Sequence, residues 1–341
     1  MSSPTPLKFL MPGYFALVMG LCGLSLAWHR GGGVLGEMAD GIAVVLGLLA
    51  ALVFVVLLVA SFLRWQRYPA ALADDLRHPV RHAFVAALPV SLLLLATVGV
   101  ALGGAAEPLG PLWNAMWWVG GLSQLWVTVW VLGRWLAPTV SAQSGPGGLW
   151  PSVTPVLLIP VVGNVLAPLA GLPLGHGLWS ALQFGIGAVL WPVMLALILA
   201  RRIAHSPLPD RILPAWFITI APPAVIGVVL AQWAAPLPVV AAAWGVALFF
   251  LLWVASLVRR IAGQPFNISF WAFSFPLAAF TVLTFRVAEL AQVAAMQTAG
   301  VLMLAITSIA VLWLGFSTVR GLRDGSLLAP EPVAAITPVS A

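Results

Sequence analysis

Apolar blocks of about 20 residues recur along almost the whole chain, and this repetition restricts the possible fold more than any other feature of the sequence. A helix needs about 20 residues to cross a hydrocarbon layer about 30 Å thick. Residues 42–62 and 241–258 are apolar on every helical face, whereas the strands of a membrane barrel alternate apolar and polar residues. Only 7% of the residues are charged, against about a quarter in a soluble domain. The chain is therefore predicted to be an all-α integral membrane protein.

Ten such blocks predict ten transmembrane helices, which are numbered spans 1 to 10. Residues 1–323 then form a single transmembrane domain, and residues 324–341 form a cytoplasmic tail that is expected to be disordered. No small-residue cleavage site accompanies the first block, so a cleaved signal peptide is not predicted. The spans are residues 10–28, 38–63, 83–102, 112–134, 153–170, 178–200, 212–232, 238–258, 268–288 and 297–319.

The basic residues test this count, because cytoplasmic loops carry an excess of Lys and Arg. With a cytoplasmic N-terminus, only Arg30 and Arg286 of the 15 Lys and Arg residues fall on the outer side. Both termini are therefore predicted to be cytoplasmic. The basic residues on the cytoplasmic side are Lys8, Arg64, Arg67, Arg77, Arg81, Arg134, Arg201, Arg202, Arg211, Arg259, Arg260, Arg320 and Arg323.

The net charge of +6 does not indicate a nucleic-acid partner, because the basic residues lie at helix ends and form no stripe interleaved with aromatic residues.

Cys22 is the only cysteine, so no intramolecular disulfide can form. His78 and His82 have the spacing of a metal pair, but Pro79 lies between them and only Asp74 or Asp75 could complete the set, so loop histidines are predicted and no metal site. The loops contain no nucleotide fingerprint and no catalytic triad, so no enzyme and no cofactor is predicted. The glycine runs at 31–33 and 144–148 are interpreted as flexible connectors.

Prolines divide the predicted spans into two kinds. Proline kinks a helix, and a membrane tolerates it where neighbouring helices or a water-filled cavity satisfy the freed backbone groups. Among the even spans only span 6 has an internal proline, Pro192. Five hairpins, each pairing a kinked odd helix with a straighter even one, would place the odd helices around a central pore and the even helices outside. The alternative is that these prolines only bend packed helices. The prolines on which this pattern rests are Pro12, Pro89, Pro160, Pro222 with Pro223, and Pro276.

Five motifs in this order are those of a known family: Pro12-Gly13-Tyr14-Phe15, His78-Pro79-Val80-Arg81, Val162-Gly163-Asn164, Ile220-Ala221-Pro222-Pro223-Ala224 and Trp271-Ala272-Phe273-Ser274-Phe275-Pro276. With them the sequence resembles the tellurite-resistance/dicarboxylate transporter family, which includes bacterial TehA and the plant guard-cell slow anion channels. The resemblance implies ten helices as five hairpins around a pore in each subunit, a homotrimer, and a location in the bacterial inner membrane. It also implies that a phenylalanine of span 9 occludes the pore, and the residue that matches this motif position is Phe275. Phe273 lies about 200° around the helix and should face away.

An anion pore needs no strong cationic site, which would trap the ion. The odd spans carry no charged residue before Arg286 and Glu289, so small inorganic anions such as chloride and nitrate are the expected substrates, ranked by their cost of dehydration. Arg286 is the candidate residue of the outer mouth, and its spacing from Glu289 predicts an ion pair. The other candidate pore and kink residues are Pro12, Phe15, Pro89, Pro160, Gly163, Asn164, Thr219, Pro223, Ser269, Ser274 and Pro276.

Two alternatives remain open at this stage. A proton-coupled carrier of dicarboxylates such as malate, or of tellurite or sulfite, would need an intramembrane carboxylate or histidine relay, and the odd spans offer only Glu289. A membrane enzyme or a scaffold is disfavoured by the missing catalytic motifs and by the proline pattern.

Overall fold

A computed structural model describes residues 6–106, 108–136, 150–205 and 207–329, and every regular element in these ranges is helical. The α-helices are α1 Ala16–Leu35, α2 Glu37–Arg67, α3 Pro69–Arg77, α4 Ala87–Gly103, α5 Gly110–Leu136, α6 Leu158–Val165, α7 Ala167–Gly171, α8 Gly177–Ala204, α9 Ala221–Gln232, α10 Leu237–Ala255, α11 Val258–Ala262, α12 Ser274–Ala291 and α13 Ala294–Arg323. The prediction of an all-α protein is thereby confirmed.

Within the described residues, eight helices are long and apolar enough to cross a membrane, judged by length and composition. These eight correspond to all the predicted spans except spans 1 and 5. Helix α1 is long enough, but His29, Arg30 and three glycines lower the hydropathy of its second half. Span 5 is a shorter apolar stretch, Pro155–Gly171, and it divides into a 3-10 turn and the two short helices α6 and α7.

The helices differ in how deeply they are buried. In the spans Arg81–Gly103, Asp210–Gln232 and Ile268–Ala291, 67%, 83% and 78% of the most apolar stretch is buried. In the other five the buried share lies between 22% and 39%. Exposed Leu, Val and Phe side chains cover the outer faces of α2, α10 and α13, as expected for helices that contact lipid. The three deeply buried spans are odd-numbered spans with internal prolines.

Each odd span changes helix type close to its proline. A 3-10 segment leads directly into the α-helix, and the third residue of the α-helix is Pro89 in α4, Pro160 in α6, Pro223 in α9 and Pro276 in α12. In span 1, Pro12 opens the 3-10 segment instead. Proline costs least at the start of an α-helix, where its missing N–H has no intrahelical partner to lose. The position of the proline therefore coincides with the start of regular α-helix.

Five tight turns follow the odd spans, and each contains one residue in the left-handed region. These residues are Gly36, Gly104, Gly175, Ala234 and Gln292, with φ between 52° and 85°. In each case the helices on the two sides of the turn pack against each other: α1 with α2, α4 with α5, α6 with α8, α9 with α10, and α12 with α13. A residue with a positive φ angle thus occurs in all five turns.

The glycine run 31–33 lies within α1, which contradicts its interpretation as a flexible connector. The helix continues because Gly31 lets α1 approach α12 and α13 closely, where a Cβ would lie 3.2 Å from Leu304 and 3.5 Å from Phe285. The second predicted connector, 144–148, lies outside the described residues.

At the C-terminus, residues up to 329 are described, and the carbonyl of Leu327 accepts a hydrogen bond of 2.8 Å from the hydroxyl of Tyr14. The remainder of the predicted tail, 330–341, lies outside the described residues.

A buried ion cluster joins the elements at the N-terminal ends of spans 1 and 3. Asp75 is almost fully buried, and its carboxylate lies 2.7 Å from the guanidinium of Arg64 and 2.8 Å from that of Arg81. Arg64 also donates to the carbonyl of Lys8. Removing one partner of a buried ion pair leaves an uncompensated charge and costs about 3–5 kcal/mol. This cluster therefore fixes α2, α3 and the start of span 3 to one another.

We expect Asp75→Asn to lower the apparent unfolding midpoint in detergent clearly, because both guanidiniums lose their counter-charge. The control is Asp74→Asn, which changes the exposed neighbouring carboxylate and should leave the midpoint within about 1 °C of wild type, consistent with the small effects of surface substitutions. Equal midpoints for the two variants would contradict the role assigned to Asp75.

His78 lies beside this cluster and closes the turn that follows α3. Its Nδ1 accepts hydrogen bonds from the backbone N–H groups of Val80 and Arg81, both at 3.1 Å. Burial, with Arg81 next to it, lowers the pKa of His78 to about 4. The histidine pair proposed and dismissed as a metal site is thus engaged in backbone contacts, since Nδ1 of His82 lies 3.0 Å from the carbonyl of His78.

This lowered pKa predicts an acid-sensitive contribution to stability. The imidazole has a pKa near 6.5 in the unfolded chain and near 4 in the folded one, so its contribution is complete above pH 6.5 and is lost as the pH falls towards 4. In His78→Asn, an amide oxygen can accept the same N–H groups without titrating. The unfolding midpoint of this variant should therefore fall less between pH 7 and pH 4.5 than that of wild type. Parallel pH profiles would contradict the assignment.

Candidate functional site

Two cavities lie one above the other inside the molecule, and residues of all five odd spans line both. The first, called the N-side cavity, lies near the N-terminal ends of these spans and encloses about 40 Å³. Its wall is almost entirely apolar, and Ser269 provides its only hydroxyl group. Ala16, Phe84, Ile159, Ile218 and Ala272 represent the five spans in this wall.

The second, called the C-side cavity, lies near the C-terminal ends of the same spans and encloses about 420 Å³. Its inner part is apolar, with Leu94, Val225 and Ala279 in the wall. Polar and basic side chains appear in the rest of its lining: His29, Arg30, Thr97, Gln232 and Arg286. The described lining of neither cavity includes a carboxylate.

Phe275 is the one residue that the described linings of the two cavities share, so it lies between them. It is the second residue of α12, directly before Pro276, and is only 6% exposed. Gly23 of α1 packs against it, and a Cβ at Gly23 would lie 3.1 Å from Cδ2 of Phe275 and 2.9 Å from the Cβ of Ala278. The missing side chain of Gly23 leaves the space that the phenyl ring borders.

Local hydrogen bonds explain how the chain places Phe275. The side chain of Asn267 caps the 3-10 segment by accepting from the N–H of Ser269 at 2.9 Å. At the other end of that segment, the hydroxyl of Ser274 donates to the carbonyl of Trp271 at 2.7 Å. Ser274 then begins α12, so Phe275 lies at the point where the helix type changes. Phe273 points elsewhere: its ring stacks on Trp313 of α13, with ring centroids 6.3 Å apart.

Five of the residues predicted for the site line a cavity: Gly163, Ser269 and Pro276 line the N-side cavity, Arg286 lines the C-side cavity, and Phe275 lines both. Gly163 contributes backbone, because a Cβ there would clash with Gln124 of α5. The structure does not bring the other candidates to either wall. These are Pro12, Phe15, Pro89, Pro160, Asn164, Thr219, Pro223 and Ser274.

The polar candidates outside the cavities are engaged with backbone or with neighbouring helices. Thr219 donates to the carbonyl of Trp216 at 2.7 Å, one turn back in its own segment. Phe15 packs edge-to-face on Phe54 of α2, with ring centroids 5.8 Å apart. The Thr219 hydroxyl is thus used within its own segment and the Phe15 ring packs on α2, so neither side chain lines a cavity.

A buried amide network holds span 5 against α5 at the level of Gly163. The carbonyl of Pro160 accepts hydrogen bonds from Gln124 and Thr128, both at 2.7 Å, and from Asn164 at 3.0 Å. Gln124 and Asn164 are both fully buried. Asn164 thus faces an outer helix and stabilises the wall from behind. Sequence reasoning missed Gln124, although an isolated Gln inside an apolar span was the available signal.

The charged residues at the mouth of the C-side cavity form one group. Arg286 donates to Glu289 at 3.1 Å, which confirms the predicted ion pair. Arg30 of α1 donates to the same carboxylate at 3.3 Å. Sequence reasoning did not predict that Arg30 would join this group. The signal was present, because Arg30 and Arg286 are the only two basic residues that the positive-inside rule leaves on the outer side.

Together these features define a class of protein. The described residues form a multi-pass helical membrane protein whose buried, proline-containing helices enclose two internal cavities. No group of three or more His, Cys, Asp or Glu side chains suited to a metal ion occurs in the part of the chain that the structure describes. Such an architecture is typical of a channel or a transporter.

The chain belongs to the SLAC1 family, described as voltage-dependent anion channels, because the family model matches residues 10–319. It is 27% identical over 297 residues to an uncharacterized transporter of Methanocaldococcus jannaschii, covering 80% of this chain and 82% of that protein. It is 26% identical to the tellurite resistance protein TehA homolog of Haemophilus influenzae, over 81% of this chain and 80% of the relative. The S-type anion channel SLAH2 of Arabidopsis thaliana is 23% identical over 78% of this chain, which spans half of the plant protein. The predicted family resemblance is confirmed.

The contact between Gly23 and Phe275 makes a testable prediction about packing. In Gly23→Ala the new methyl group meets the phenyl ring and Ala278, and overpacking of this kind costs about 1–3 kcal/mol. The unfolding midpoint in detergent should fall. Gly33→Ala is the matched control in the same helix, since a Cβ there has open space around it. A midpoint for Gly23→Ala equal to that of the control would show that the ring does not pack as described.

Proposed function

We propose that this protein is an anion channel of the bacterial inner membrane that passes small monovalent anions, chloride and nitrate, through a pore closed by Phe275. The observation that carries the proposal is the position of Phe275 in the walls of both cavities, which all five odd spans line. The two cavities are then the two halves of one pathway, and the phenyl ring is the barrier between them. The chain's membership of an anion-channel family supports the same reading.

The pathway runs through ten helices arranged as five hairpins, with the odd helices inside and the even helices outside. The five turns with left-handed residues support this arrangement, as do the contacts between the helices that each turn connects. The burial difference between odd and even spans supports it as well. Each subunit contains its own pore, three subunits form a homotrimer, and both termini are cytoplasmic. In that orientation the C-side cavity opens to the outside.

The pore is closed because its narrow part is dry. The N-side cavity, about 40 Å³, has room for about one water molecule. An ion that enters this stretch loses hydration, and apolar side chains cannot replace it. The phenyl ring of Phe275 completes the barrier on the other side. Conduction requires this ring to leave the pathway.

Selectivity for anions follows from what the walls contain. The described lining has no carboxylate that would attract cations, and the basic groups occur only at the wide mouth. No charged group lies at the narrow part to hold an ion strongly, so anions are ranked by how readily they lose water. We therefore expect nitrate to pass at least as readily as chloride.

A proton-coupled carrier is less well supported. Glu289 is the one carboxylate near the pathway that the sequence offered as a proton relay, and its oxygens already accept hydrogen bonds from Arg30 and Arg286. It also lies at the mouth and not midway across. A carrier for dicarboxylates, tellurite or sulfite would show slow, saturable and proton-dependent transport, which the following experiment would detect.

The deciding experiment compares Phe275→Ala with wild type in a planar bilayer or an oocyte membrane under chloride, nitrate and malate gradients. Removing the phenyl ring should raise the anion current on the order of tenfold or more, with a reversal near the Nernst potential of the permeant anion. Phe273→Ala is the matched control, because it removes the same group from the same segment but outside both cavities. Unchanged current in Phe275→Ala, or equal increases in both variants, would overturn the proposed gate.

A further inference from the structure

Two guanidiniums at the mouth of the C-side cavity share a single carboxylate. Arg30 reaches Glu289 from α1 at 3.3 Å, and Arg286 reaches it from within α12 at 3.1 Å. All three side chains are partly accessible, with exposed fractions of 31% for Arg30, 27% for Arg286 and 43% for Glu289. The group therefore carries one uncompensated positive charge, and both arginines line the cavity.

We propose that Arg30 and Arg286 form an anion-loading site at this mouth, where a small hydrated anion such as nitrate binds before it enters the pore. The site rests on the proposed function, since it gives a role in conduction to a group that would otherwise only join two helices. Glu289 keeps the site weak, because it offsets one of the two charges. A weak site lets the ion leave again, which conduction requires.

The hydrogen-bonding state of the group supports an anion as the ligand. Both arginines donate to Glu289 through Nη1, and both side chains are partly exposed, so the two guanidiniums retain further N–H donors for a ligand. Guanidinium groups bind oxyanions through paired N–H donors. Nδ1 of His29 lies 2.7 Å from the carboxylate of Asp40, so these two side chains pair with each other and not with the arginines. The positive charge that lines the mouth thus comes from the arginine pair.

The size of the expected effect follows from Coulomb's law. One unit charge about 7 Å from an ion in a water-like medium changes its local concentration by roughly threefold at low salt. The effect should shrink as ionic strength rises, since screening shortens the range of the field. Charged mouths that raise local ion concentration in this way are a general means of increasing the rate of entry.

Two substitutions separate an electrostatic role from a structural one. Arg30→Gln and Glu289→Gln both remove the Arg30–Glu289 ion pair, but the first lowers the charge of the mouth and the second raises it. In the Phe275→Ala background, we expect the half-saturating nitrate concentration, measured from the side of the C-side mouth, to rise about threefold in Arg30→Gln and to fall about threefold in Glu289→Gln. Arg320→Gln, at the opposite end of α13, is the control and should change nothing.

The same variants are also tested without conduction, through the shift in unfolding midpoint that nitrate produces in purified protein compared with gluconate. A ligand stabilises the folded state according to its concentration relative to its dissociation constant, so the nitrate shift should be smaller in Arg30→Gln and larger in Glu289→Gln. Changes of the same sign in both variants would mean that the ion pair is only a structural link. No change in either would also overturn the site. If Phe275→Ala carries no more current than wild type, the proposed gate fails, and this binding measurement still decides on the site.

Discussion

Satisfying the backbone in an apolar environment is the constraint on which this structure depends. Water is not available inside a membrane to bond free N–H and C=O groups, so every irregularity must lie where it costs little. The five odd spans change from 3-10 to α-helix near a proline, at the positions where the missing N–H has no intrahelical partner to lose. Phe275 lies at one of these changes, directly before Pro276. The change of helix type that makes proline tolerable therefore also sets the position of the side chain that lines both cavities.

The same constraint explains why the cavity walls are apolar. Side chains that could have brought hydroxyl or amide groups to the pathway bond to backbone carbonyls instead, as Thr219 does with Trp216 and Asn164 does with Pro160. A buried polar group without a partner costs about 1–3 kcal/mol, and these bonds satisfy the hydroxyl of Thr219 and the amide N–H group of Asn164. Charge then remains only at the wide end, where Arg30, Arg286 and Glu289 are partly exposed to water. The apolar centre and the charged mouth both follow from the cost of burying a polar or charged group without a partner.

Much of the fold could be predicted from local pattern. Apolar blocks gave the all-α membrane class, and eight of the ten predicted spans correspond to helices that are long and apolar enough to cross a membrane. The prediction was less accurate where composition is a poor guide to geometry. His29, Arg30 and three glycines made the second half of α1 look like a loop, but close packing against Phe285 and Leu304 keeps it helical. In the same way, Asn164 and Thr219 looked like pore-lining residues only because their neighbours are so apolar.

The sequence by itself determined the membrane class, the all-α fold and the family, because these follow from hydropathy and from short motifs. The tertiary structure alone decided which side chains face the cavities and which face other helices. It also decided that Gly23 packs against Phe275, and that Arg30 meets Glu289 from a helix more than 250 residues away. Periodicity fixes which residues share a helical face, but contacts between distant helices depend on packing, and the packing partner is not encoded in any local pattern.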